Sequence, residues 1–81
     1  MTILYFAWLR ERIGLPKEEW TSEAVTVADL VTELSARDPR YAAAFADLSA
    51  LRGAVDQELV EFDAPLSGAR EVAVFPPMTG G

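Results

Sequence analysis

The chain has 81 residues, with 13 acidic and 7 basic side chains, no histidine and no cysteine, for a net charge of −6 at pH 7. That length allows one small domain, and the acidic balance argues against a phosphate-backbone partner, so no nucleic-acid binding is expected. An apolar content of 51% excludes intrinsic disorder, and the missing His and Cys remove the commonest general base, metal ligand and thiolate nucleophile.

The longest apolar run, Ile3 to Leu9, is far short of the about 20 residues of a membrane span. Arg10, Glu11 and Arg12 follow it too closely for a secretory signal. With no cysteine to form disulfides, the expectation is a cytoplasmic protein without membrane contact.

Thr2 to Leu9 is rich in branched and aromatic residues, and both parities are apolar: Ile3, Tyr5, Ala7 and Leu4, Phe6, Trp8. This predicts a strand inside a sheet, covered on both sides. Gly14-Leu15-Pro16-Lys17 predicts a turn, and Glu18 to Glu23 a weaker edge strand closing a hairpin. Thr26-Val27-Ala28-Asp29 opens a helix with the threonine as N-cap and Asp29 placed to answer it. Val27, Leu30, Val31 and Leu34 give it one buried stripe. Asp38-Pro39 ends that helix and starts the next, with proline at its first position. Tyr41, Phe45 and Leu48 mark the buried side of this second helix.

Leu51 to Val55 reads as a strand, Asp56-Gln57 as a tight turn, and Glu58 to Val60 as a short strand. Asp63-Ala64-Pro65 and Ser67-Gly68 signal loops. Glu71 to Phe75 is the last strand, stopped by Pro76-Pro77, which cannot donate to a ladder. The order β-β-α-(α)-β-β-β predicts an α+β fold with helices on one face of a mixed sheet. Placing the last strand beside the first, in parallel, centres the two most apolar strands. This is the order of a ubiquitin-like β-grasp domain, expected over residues 1–75 and followed by a tail over 76–81.

The tail, Pro76-Pro77-Met78-Thr79-Gly80-Gly81, ends the given sequence on two glycines. Extended, six residues reach about 20 Å. Glycines without Cβ pass a narrow channel, and prolines at the base reduce the entropy lost on threading. A terminal carboxylate is anionic at neutral pH and a poor electrophile. It must be activated before it accepts anything, most simply as an acyl-adenylate. The chain has neither a Walker A sequence nor a strand–GxGxxG–helix, so activation is expected from a partner that uses ATP. No cofactor is expected on this chain itself.

Over essentially its whole length the chain resembles the small, sulfur-carrier subunits of molybdopterin synthase, which are ubiquitin-like proteins. The resemblance is carried by Tyr5-Phe6-Ala7-Trp8-Leu9-Arg10-Glu11 with Gly14, by Thr26 to Leu30, and by Ala54 to Val60. Leu66, Gly68 and the ending Glu71 to Gly81 complete it, and Phe75-Pro76-Pro77-x-x-Gly80-Gly81 is its most specific part. Asp56 stands where that family often has Asn, and Ser67 to Glu71 where it often has a more acidic loop.

The resemblance implies a mechanism. A ubiquitin-activating-like adenylyltransferase adenylates Gly81, and a sulfur donor protein converts it to a thiocarboxylate. The tail, Pro76 to Gly80, threads into the large catalytic subunit and delivers sulfur to cyclic pyranopterin monophosphate. The chain would then be a non-catalytic subunit within a heterotetramer.

An apolar sheet face turned away from the helices would be a partner site, and by analogy with the family Phe6, Leu59 and Phe75 are its expected contacts. Arg10 and Arg12 read either as solvated charges or as partners for a carboxylate. Lys17 is the only lysine, a scarcity that limits self-attack by an activated terminus and equally reflects an Arg- and Ala-rich composition. Glu18/Glu19 and Asp56/Glu58/Glu61 imitate a metal cluster, but without histidine no metal site is expected. Alternatives are a sulfur carrier for thiamine or cysteine synthesis, a protein modifier joined through Gly81, and a β-grasp interaction module with an inert tail.

Overall fold

A computed structural model describes residues 1–77 of the chain. Five strands form one sheet: β1 (Thr2–Tyr5), β2 (Lys17–Glu19), β3 (Arg52–Val55), β4 (Glu58–Val60) and β5 (Glu71–Phe75). They lie in the order β2-β1-β5-β3-β4, with β1 and β5 parallel and every other pair antiparallel. Three helices, α1 (Trp8–Ile13), α2 (Val27–Arg37) and α3 (Pro39–Ala44), and a 3₁₀ turn at Leu48–Ala50 complete the domain. This is the α+β, ubiquitin-like β-grasp arrangement read from the residues, with β5 closing beside β1.

The first strand is shorter than its sequence suggests. It ends at Tyr5, and Trp8 to Ile13 is helical. The turn is made at Ala7, whose φ of 56° and ψ of −134° are unusual for a residue with a side chain. It allows Leu9 and Ile13, four residues apart, to enter the core fully. Gly14 then caps α1 in the left-handed conformation, its N–H donating to the Arg10 carbonyl at 2.8 Å. Arg10 and Arg12 therefore belong to α1, not to the end of a strand. The residue pair Gly14-Leu15 is a helix exit, and the edge strand is confined to Lys17–Glu19.

The inner face of the sheet supplies Ile3, Tyr5, Val72 and Val74, and α2 supplies Val27, Leu30, Val31 and Leu34. Leu9, Ile13, Tyr41, Ala44, Phe45, Leu51 and Leu66 complete the same core, each almost fully removed from water. Burying one such large side chain stabilises the fold by about 1.5–3 kcal/mol. Leu48 leaves α3 for the 3₁₀ turn and is only partly buried.

The predicted caps form. The Asp29 N–H donates to Thr26 Oγ1 at 3.1 Å, and the Arg40 N–H to Asp38 Oδ1 at 2.8 Å. Asp38 closes α2 and opens α3. Asp56 and Gln57 both take positive φ, 50° and 72°, as a two-residue hairpin turn with the sheet's own twist requires. Asp56 Oδ1 also accepts the N–H groups of Arg70 (2.9 Å) and Glu71 (3.0 Å), locking the β3–β4 turn to the start of β5. An Asn oxygen would accept both, so this departure from the resembled family leaves the geometry intact. Among the described residues no helix is long and apolar enough to cross a membrane.

Candidate functional site

β5 leads out of the middle of the sheet into Pro76 and Pro77, both partly buried. The expected site residues Met78, Thr79, Gly80 and Gly81 lie outside the described residues. The exit has one flank on each neighbouring strand. On the β1 side, the Phe6 ring packs edge-on against Phe75, with centroids 6.4 Å apart and planes at 84°. On the β3 side, Arg52 is the register partner of Phe75.

Alternation along the strands then defines the outer face, away from the helices. One row across it runs Lys17, Leu4, Ala73, Ala54, Leu59. Leu59 is 70% exposed and Phe6 45%, while Ala73 is covered by its neighbours. The three expected contact residues thus share one face: Phe6 and Phe75 touch, and Leu59 stands on the edge strand two strands away. Trp8, expected on the same parity, is carried off by α1, where the Arg12 guanidinium lies 5.1 Å from its ring. Arg10 is exposed on the same helix. An open pocket of about 460 Å³ lies between the 3₁₀ turn and β3–β4, lined by Leu48, Ser49, Leu51, Arg52, Leu59 to Glu61 and Phe62. It adjoins the exit on the Arg52 side.

A second cluster escaped the sequence reading. Glu18 faces inward from β2, where its Oε2 accepts the hydroxyls of Tyr5 (2.9 Å) and Tyr41 (2.6 Å) and its Oε1 accepts Arg37 Nη1 (2.6 Å). Arg37 also lies 4.5 Å from the Trp20 ring centroid, and Trp20 Nε1 donates to Glu33 Oε1 at 2.8 Å. Burial opposes the charge on Glu18. The Tyr41 hydroxyl, the Arg37 guanidinium and the Tyr5 hydroxyl outweigh it and hold the carboxyl below the usual carboxylate range. Burial and then the Glu18 carboxylate push both tyrosines above the usual phenol value.

Both Glu18 oxygens and the Tyr5 and Tyr41 hydroxyls are engaged within this cluster, which ties β2 to β1, α2 and α3. Period-two alternation in Lys17-Glu18-Glu19 puts Glu18 on the inner face, but its donors come from residues 13 to 23 positions away. No group of three or more His, Cys, Asp or Glu able to hold a metal occurs among the described residues.

The ThiS family's sequence model matches residues 3–81. The chain belongs to the ThiS family. It is 43% identical over 79 residues to the molybdopterin synthase sulfur carrier subunit of Escherichia coli (strain K12), covering 98% of this chain and 96% of that protein. The protein of the same name from Haemophilus influenzae is 28% identical over 81 residues, covering 100% and 99%. Among solved structures, SAMP1 from Haloferax volcanii superposes with a TM-score of 0.73 at 22% identity, over 100% of this chain and 98% of that one, a likeness of fold. The ThiS family match extends through the tail.

Proposed function

We propose that this chain is the sulfur carrier subunit of a molybdopterin synthase, working in the cytoplasm. The observation that carries the reading is the near full-length 43% identity to a protein of that name. It agrees with a sequence that holds no His or Cys of its own and with a last strand that leaves the middle of the sheet directly into two prolines.

The chemistry is carried by Gly81. An adenylyltransferase of the ubiquitin-activating type joins its carboxylate to AMP from ATP, releasing pyrophosphate. Sulfide released from a donor protein attacks the acyl carbon and displaces AMP, leaving a thiocarboxylate. The outer face, through Phe6, Phe75 and Leu59, docks on the large catalytic subunit, and Pro76 to Gly80 thread the loaded end into its active site. There the thiocarboxylate sulfur bonds to cyclic pyranopterin monophosphate, water cleaves the resulting thioester, and the regenerated carboxylate returns for reloading. This chain supplies no general acid or base. Its contribution is delivery: a rigid body sets where the tail starts, and the tail length sets how far the sulfur reaches.

Intact mass spectrometry of the protein from cells making the cofactor tests this. The expected species has one terminal oxygen replaced by sulfur, and deletion of Gly81 removes that species while leaving the melting temperature unchanged. Its absence from cells with an intact pathway, or its persistence after the deletion, overturns the reading. Ladders of covalent adducts on other proteins would point to a modifier instead.

A further inference from the structure

The outer face is graded in charge along its strands. Toward the end where β5 passes into Pro76, Arg52 of β3 flanks Phe75 on one side of the apolar strip, and Lys17 of β2, in register with Leu4 and Ala73, stands on the other side one row back. At the opposite end Glu19 and Glu71, both in register with Thr2, occupy the same face. Lys17 and Arg52 are exposed, and neither has an ion pair among the described residues. Arg52 donates Nη1 to the Leu51 carbonyl at 2.9 Å, and Glu61 lines the pocket beside it without pairing to it. Glu19, by contrast, meets the Met1 ammonium at 3.5 Å and accepts the Thr2 hydroxyl. On a chain of net charge −6, these two cations without an ion pair give the exit half of the face a positive charge that the opposite end, with Glu19 and Glu71, lacks.

We infer that the partner receiving the tail presents carboxylates on both sides of its channel mouth, and that Lys17 and Arg52 engage them to set the direction in which the sheet docks. This rests on the proposed carrier function and names the chemistry of its docking partner. A face rotated by half a turn would bring Glu19 and Glu71 against those carboxylates, so the gradient rejects the orientation that points the tail away from the channel. Exposed charges of this kind act through encounter rate and orientation more than through affinity.

A second copy of this chain is a weaker fit. Five strands about 4.8 Å apart and four residues tall give a face of roughly 24 by 13 Å, about 300 Å². A stable interface takes about 800 Å² per partner. A partner that also swallows the tail supplies the missing area, and a second copy does not.

The test is stopped-flow association of the full chain with its cognate large synthase subunit, for wild type and for Lys17→Glu/Arg52→Glu, with far-UV circular dichroism confirming the fold of both. At about 20 mM salt the double reversal should slow association about tenfold or more. At about 500 mM salt the two rates should converge to within about twofold. Glu19→Lys/Glu71→Lys should associate at least as fast as wild type. Equal rates for wild type and Lys17→Glu/Arg52→Glu at low salt overturn the inference while leaving the carrier reading standing. So does a concentration-dependent homodimer that the same reversal dissolves. A wild-type chain that binds no large subunit overturns the carrier reading and this inference with it.

Discussion

Replacing Glu18 by alanine should be among the most damaging single changes outside the apolar core. The carboxylate accepts three hydrogen bonds, two of them from hydroxyls of Tyr5 and Tyr41, residues only 1% and 2% exposed. Truncation orphans both hydroxyls, and a buried donor left without an acceptor costs about 1–3 kcal/mol. Water can enter beside Arg37, whose side chain is 40% exposed, so the lower half of that range applies and the pair should cost about 3 kcal/mol. A domain of this length has a total stability of roughly 4–12 kcal/mol, so Glu18→Ala should lower the midpoint of urea unfolding sharply and Tm by more than about 10 °C.

Glu18→Gln keeps an acceptor for one tyrosine but sets an amide donor or a neutral oxygen against Arg37, and should cost about 1–2 kcal/mol. The pH dependence separates the charge from the packing. The Glu18 pKa is depressed on folding, so its stabilisation is fully present above the unfolded-state value of about 4.3. It is lost as pH falls through the lower folded-state value. The gap between wild type and Glu18→Gln should therefore close as pH drops below about 4. Glu18→Ala within about 0.5 kcal/mol of wild type, or a wild-type–Gln gap constant from about pH 7 to 3, would refute the reasoning, because either means water already satisfies the cluster.

Three further outcomes follow from single positions. Ala7→Gly relieves a positive φ that only glycine adopts freely and should leave stability equal or raised by up to about 1 kcal/mol in denaturant titration, whereas Ala7→Val should lower it by about 2 kcal/mol. Gly53 is buried in β3, but a Cβ there would meet Phe62 at 3.5 Å and Val27 at 3.6 Å, ordinary contact distances. Gly53→Ala should thus fold normally and gain up to about 1 kcal/mol through reduced freedom of the unfolded chain, and a loss of more than about 1 kcal/mol would show the site closed to a methyl group. Leu59→Ala, 70% exposed, should leave Tm within about 2 °C of wild type, while its complex with the large subunit dissociates at least fivefold faster by surface plasmon resonance, about 1 kcal/mol. An unchanged dissociation rate would remove Leu59 from the docking face.

The residues alone settled what local rules can settle. Thr26 and Asp38 cap helices because their oxygens reach free N–H groups within three residues, and Asp56-Gln57 turns because two positive φ values suit a hairpin. Glu71 to Phe75 is a strand of the predicted length because Pro76 and Pro77 cannot continue it. The Gly-Gly ending and the absence of His and Cys carry only the expectation of chemistry at a terminus activated by another protein. Tertiary structure decided the rest. Thr2 to Leu9 satisfies strand and helix patterns alike, and only the space for Leu9 and Ile13 in the core breaks the tie at Ala7. Glu18 is an ordinary surface residue in the sequence, and it becomes a part-buried acceptor because β1, α2 and α3 bring Tyr5, Arg37 and Tyr41 to one point. The same holds for the outer face: alternation tells which side of its own strand a residue takes, but the register across five strands, set by pairings distant in the chain, is what gathers Lys17, Phe75, Arg52 and Leu59 onto one surface.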